Sequence, residues 1–354
     1  MRPLRILTWI TALTIAFGAC SQAQEQSRPA DPQKRQALIQ RFDKDGDGQL
    51  SQEERQAALK EWQKQRGDKG GSRRLPPGVK AMRDIEYARV DGHSLKLDLY
   101  LPADAPKPMP VIVFIHGGAW RSGSKNTCPA LSMTTKGFAV MSIDYRLTDV
   151  AAFPAQIHDC KGAIRWVRGH AKEYGFDPDR IGVWGNSAGG HLVALLGTSG
   201  GVKEIEGDVG GNLTFSSRVQ AVADFCGPTS FRLEDVKGLE QAEEGKTPEA
   251  LRLLLGGTVQ EKTREARLAS PAEHVTPDDP PFLIAHGEKD NVVPVQQARI
   301  LAAALKKAGV ETVLHIDPNA GHGVGNPQTI GMAEEFLVKH LKGKSNEPAT
   351  KSAP

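Results

Sequence analysis

Three side chains far apart in this sequence, Ser187, Asp290 and His322, are of the types needed to activate a hydroxyl. Ser187 is the centre of Gly185-Asn186-Ser187-Ala188-Gly189, and Gly190 adds a further small residue. A Gly-x-Ser-x-Gly run between a strand-like and a helix-like apolar stretch describes a turn too tight for larger side chains, which lifts the hydroxyl into reach. The helix beginning there favours developing negative charge. A serine hydroxyl is a weak nucleophile until a base takes its proton. With the nucleophile on such an elbow, the acid and then the histidine follow along the chain. His315, His322 and His340 lie far enough downstream. His315 falls inside the strand-like VETVLHID, and His340 falls on the solvated side of the last helix. His322 belongs to PNAGHGVG, a small-residue loop after the last strand. The loop HGEKDNVVPV offers Glu288 and Asp290. Asp290 lies further out and would hold the imidazole tautomer and balance its charge. HGGAW, residues 116–120, follows VIVFIHG where backbone donors for an oxyanion are needed. Ala188, next to the serine, would add another donor. His116 reads as a loop brace, and Trp120 as either a pocket wall or packing.

A second constellation lies upstream. In DKDGDGQLSQEE, Asp43, Asp45, Asp47, Gln49, Ser51 and Glu54 occupy the ligand positions of an EF-hand loop, with Gly48 at the sharp turn. Aspartates so close together repel one another unless a cation such as Ca2+ neutralises them. Gln49 would serve through its carbonyl, Ser51 through water and Glu54 through two oxygens. Leu38, Phe42 and Leu50 give flanking helices something apolar to pack.

The elements that must position these groups follow from the texture of the chain. From about Ile85, short apolar runs alternate with amphipathic stretches: LKLDLYL, VIVFIHG, AVMSIDY, RIGVWGN, VQAVADFCG, PFLIAHGE and VETVLHID. Such alternation predicts an α/β fold with a mostly parallel sheet covered on both faces and, at its start, an antiparallel edge. Residues 228–280 break the rhythm and read as a small, polar, helical cap. Upstream, 32–66 form a short helical unit carrying the acidic loop, and 67–79 a Gly- and Pro-rich linker. Residues 344–354 read as a disordered tail.

Residues 1–23 have the charged start and apolar stretch of an export signal. Ser21 and Ala23 fit ordinary cleavage, whereas Gly18-Ala19-Cys20 fits a lipobox that would anchor the chain to a membrane through Cys20. Export makes a disulfide among Cys128, Cys160 and Cys226 an open alternative to buried thiols. The chain has 354 residues, 39% of them hydrophobic and 25% charged, with a net charge of +3 and interspersed signs. This balance argues against a nucleic-acid partner.

Taken together, HGGAW, DYRL (144–147), GNSAGGHL, PPFLIAHGEKDNVVP and the late GHG resemble an α/β-hydrolase of the esterase/lipase group over residues 80–343. They are similar to bacterial carboxylesterases that include feruloyl and acetyl-xylan esterases, and to formamidase-like enzymes with an HGGxW motif. The resemblance implies Ser187 as nucleophile, Asp290 and His322 as its partners, and Gly118, Ala119 and Ala188 as oxyanion donors. Ala119 stands where lipase relatives carry a third glycine, which leaves a part for Gly117 open. The expected activity is hydrolysis of a small-molecule or polysaccharide ester, with no cofactor for catalysis. The alternatives are a formamidase or other acyl hydrolase, and a non-catalytic calcium-dependent binding protein on the same scaffold.

Overall fold

The structure, a computed structural model, describes residues 41–42, 54, 75–236 and 248–342. The chain divides into two compact units, Met1–Arg73 and Arg74–Pro354. Of the acidic loop, Asp43, Asp45, Asp47, Gln49 and Ser51 lie outside the described residues, as do the leader, Cys20 and the tail; Glu54 is helical and buried. No described helix is long and apolar enough to cross a membrane.

The larger unit is built on one eight-stranded sheet in the order β1-β2-β4-β3-β5-β6-β7-β8. The first strands, β1 (Val79–Val90) and β2 (His93–Pro102), pair antiparallel, and β2 also runs antiparallel to β4 (Ala139–Ile143). All further pairings are parallel, through β3 (Met109–Ile115), β5 (Phe176–Asn186), β6 (Ala221–Phe225), β7 (Phe282–Gly287) and β8 (Thr312–Asp317). MPVIVFI, AVMSI and AVADF are buried at every position. Strands enclosed on both faces have no solvent side for polar residues, so they lose the alternation seen on an edge. Edge strand β1 keeps a mixed pattern.

In the larger unit seven α-helices are described: α1 (Ala155–Gly169), the single turn α2 (Ala171–Tyr174), α3 (Ala188–Thr198), α4 (Glu249–Leu255), α5 (Thr263–Leu268), α6 (Gln296–Lys307) and α7 (Pro327–Lys342). Apolar residues of α1, α3 and α6 join one core, and those of α7 join a second core on the other face with the 3-10 stretch Pro129–Lys136. Cys160 is buried in the first core; Cys128 and Cys226 are buried in the second. Cys160 and Cys226 are unbridged thiols. His340, expected in solvent, instead packs against Phe336, with ring centroids 4.5 Å apart, and lies near Glu311.

The loops after β3, β5, β7 and β8 leave the sheet at the same edge, because parallel strands end on one side. HGGAW, Ser187, Asp290 and His322 therefore converge although up to 206 positions, from His116 to His322, separate them. Strand β6 lies between the strands carrying Ser187 and Asp290, so its end must pass beneath them.

Candidate active site

Ser187 is the residue between β5 and α3, and its backbone is held at φ 56°, ψ −123°. Side chains rarely adopt this conformation, and such strain persists where the surroundings enforce it. Here the Ser187 amide is anchored to the Phe225 carbonyl at 2.8 Å. Gly185 makes the turn possible, since a Cβ there would stand 2.2 Å from the Gly189 carbonyl oxygen. Ser187 is the N-cap of α3, yet its side chain makes no capping bond. Its Oγ is directed to His322 instead, 2.8 Å from Nε2.

The other ring nitrogen, Nδ1, lies 2.8 Å from Asp290 Oδ2. A carboxylate accepts, so Nδ1 carries the hydrogen and Nε2 is left as the acceptor of the serine proton. The second oxygen of Asp290, Oδ1, accepts from the amides of Val292 and Val293, each at 2.9 Å. Burial alone would raise this carboxyl, but hydrogen bonds from His286, His322 and Val293 outweigh it and hold Asp290 well below the usual carboxylate range. Glu288 is turned away to Arg299, at 2.7 Å. His315 lies within β8 rather than in the loop beyond it. Of the sequence candidates, Ser187, Asp290 and His322 meet.

The loop after β3 is also strained. Gly118 has φ 118°, and a Cβ there would stand 2.2 Å from the Ser122 carbonyl oxygen. Ala119 and Trp120 follow at φ 53° and 57°. Among the described residues, the amides of Gly117, Gly118, Ala119 and Ala188 find no acceptor, so they remain available to an oxyanion. Gly117 lies directly against the nucleophile, its missing Cβ 3.2 Å from Ser187 Cβ. His116 braces this loop as expected: its Nδ1 lies 2.8 Å from the Gly117 carbonyl oxygen, and its ring stacks on Tyr145 at 4.4 Å. Burial lowers its pKa to about 4, so the imidazole is neutral at physiological pH. Tyr145 donates to the His116 carbonyl at 3.1 Å, and Arg146 grips Asp159 with Nη2 to Oδ1 at 2.6 Å. Tyr145 thus supports the oxyanion loop, while Arg146 ties the same segment to α1.

Trp120 is a pocket wall. With Ala119, Pro228, Phe231, Pro248, Ala250, Leu251, Val292 and Val293 it lines a small cleft beside Ser187. Its indole donates to His191 Nδ1 at 3.1 Å, and His191 Nε2 donates to the Ala269 carbonyl at 2.7 Å. The residue four places after the nucleophile therefore ties the oxyanion loop to the chain between α5 and Pro271. This cleft corrects one expectation: the cap segment read as polar turns an apolar face inward, with Ala250, Leu251, Leu254 and Leu255 buried on α4.

Sequence reasoning also missed what lies beneath the acid. Cys226, at the end of β6, directs its thiol to the His322 carbonyl at 3.5 Å. Cys226, Asp290 and His322 each offer a donor atom within 4.8 Å of the others. The histidine–aspartate hydrogen bond accounts for two of the three, and burial pushes the Cys226 thiol up. His286 and Asp224 are fully buried nearby. A titratable residue inside an apolar strand run was the available signal for both.

A mostly parallel sheet bearing a serine elbow, a following acid and a final histidine at one edge defines an α/β-hydrolase. The family model described as BD-FAE matches residues 97–305, and that of the dienelactone hydrolase family matches 266–348. The Mycobacterium tuberculosis protein named "Probable carboxylic ester hydrolase LipM" is 32% identical over 336 residues, 89% of this chain and 72% of its own length. Esterase LipC of the same organism is 35% identical over 71% of this chain and 63% of LipC. Among solved structures, a carbohydrate esterase from gut microbiota shares 33% identity at a TM-score of 0.65, covering 74% of this chain and 96% of that one. The Thermogutta terrifontis esterase Est2 shares 33% at 0.60, covering 77% and 98%. This chain belongs to the BD-FAE family of α/β-hydrolase carboxylesterases.

Proposed function

We propose that this chain is a serine carboxylesterase that works through an acyl-enzyme on Ser187. The observation that carries this reading is the continuous line from Ser187 Oγ through His322 to Asp290, with 2.8 Å at each step. As Oγ bonds to the carbonyl carbon, His322 Nε2 takes its proton and the carbonyl electron pair moves onto oxygen. The amides of Gly118, Ala119 and Ala188 receive that oxyanion. When the intermediate collapses, the bond to the alkoxy oxygen breaks, and the alcohol leaves with the proton from His322. Water then attacks the acyl-enzyme with His322 again as base, and Ser187 is released with its proton restored. Chain, substrate and water account for every proton and electron pair, so the cycle calls for no organic cofactor.

The apolar cleft suits a short aliphatic or an aromatic acyl group. Together with the BD-FAE match and the relative titled a carbohydrate esterase, it supports acetyl or feruloyl esters on polysaccharide as substrates. A panel of p-nitrophenyl acetate, methyl ferulate, acetylated xylan and an N-formyl arylamine tests both levels. Ester turnover that Ser187→Ala abolishes is expected. Turnover of the formyl amide alone would replace the ester reading, and turnover of small esters alone would remove the polysaccharide.

Two parts of the proposal rest on sequence alone. The leader exports the chain, and lipidation of Cys20 is the form that would hold it at a membrane. Asp43, Asp45, Asp47, Gln49, Ser51 and Glu54 bind one Ca2+ that steadies the N-terminal unit. Calorimetry of the full chain should show saturable binding, and its absence at millimolar calcium defeats the claim.

A further inference from the structure

Asp290 Oδ2 serves two histidines. Besides His322 Nδ1, it faces His286 Nε2 at 3.2 Å, and both side chains of this second pair are fully enclosed. The same Nε2 lies 2.8 Å from the Val293 carbonyl oxygen. Both neighbours are acceptors, so Nε2 carries a hydrogen and shares it between them. Val293 in turn donates its amide to Asp290 Oδ1. His286, Asp290 and Val293 thus close a ring in which the imidazole holds both the carboxylate and the turn that presents it.

We infer that His286 is a positioning residue for Ser187 chemistry, acting through Asp290, an assignment that rests on the esterase reading above. Two requirements meet at this carboxylate. It must aim at His322 Nδ1 within a few tenths of an ångström, and it must stay ionised when His322 takes the serine proton. A second donor on Oδ2 serves both: it fixes the rotation of the carboxylate and lowers its affinity for the proton. Val292 and Val293 also line the cleft, so the same ring sets one wall beside the serine.

The titratable groups facing this ring come from two segments, the end of β6 and the loop after β8. Asp224, on β6, lies on the same sheet face as His286, since it pairs in register with Ile284, two residues earlier on β7. One Asp224 oxygen accepts from the Gly227 amide at 2.9 Å. The other is buried without a partner among the described residues, as is His286 Nδ1. Burial raises the Asp224 pKa to about 6. Cys226 and His322 complete the set.

The test compares His286→Gln, whose amide reaches the Nε2 position, with His286→Leu, in the full chain and with kcat expressed per fluorophosphonate-titrated site. His286→Leu should lose about 10- to 100-fold in kcat, as expected when a reacting group is misplaced, with KM within about twofold. Its acid limb of kcat/KM should move to higher pH, because a carboxylate relieved of one donor binds the imidazole proton more tightly. His286→Gln should keep most of the rate and the position of the limb. If leucine prevents folding, His286→Asn, equal in polarity to glutamine but too short to reach Asp290, takes its place. Equal losses in both variants, or a kcat loss with an unmoved limb, would reduce His286 to a packing residue. An inactive wild type would instead remove the esterase reading itself.

Discussion

The two sides of Ser187 are built from opposite materials. Toward β7 and β8, polar groups are stacked in depth: His322 on Asp290, Asp290 on His286 and two backbone amides, with Asp224 behind. Toward α4, the walls are Trp120, Phe231, Leu251, Val292 and Val293, and the one ring with a polar edge, Trp120, spends it on His191 rather than on the cleft. The difference teaches a division of labour. The polar side moves a proton and needs the Asp290 carboxylate matched by donors, because an unmatched buried charge is costly. The apolar side selects, because carbon walls discriminate by shape and size alone. Changes on the first side should therefore act on kcat, and changes on the second on the ratio between substrates.

The largest effect should come from breaking the polar side at its centre. Asp290→Asn keeps the shape but offers the imidazole an amide hydrogen, which favours the wrong tautomer. Loss of about 10⁴-fold in kcat with little change in KM is expected from steady-state kinetics. A loss below tenfold would mean that the carboxylate is only a turn residue. A smaller effect should come from the opposite wall. Leu251→Trp fills the cleft, so kcat/KM for p-nitrophenyl hexanoate should fall at least about tenfold relative to the acetate. An unchanged ratio would place the acyl chain elsewhere.

The two sides were unequally legible in the sequence. Ser187, His322 and Asp290 stood out because each falls in a loop after an apolar run, and parallel strands bring such loops to one edge. Tyr145 was quoted within a motif, but its stacking on His116 needed coordinates. His286 was hidden because HGEKD reads as a strand end followed by a turn. Only the return of the chain at Val293 turns its imidazole into a donor for Asp290. The cleft was misread for a different reason. In LEDVKGLEQAEEGKTPEALRLLLGG the charged residues dominate the average, whereas α4 buries Ala250, Leu251, Leu254 and Leu255 on one side. An average over an amphipathic helix conceals the face that matters.

The central claim is that Ser187 is the atom-bearing centre of ester cleavage, and covalent labelling tests it most directly. After exposure to a fluorophosphonate, mass spectrometry of the digested chain should find one phosphonyl group, on the peptide containing Ser187. Ser187→Ala should carry none. A label on another peptide, or equal labelling of wild type and Ser187→Ala, would contradict the account.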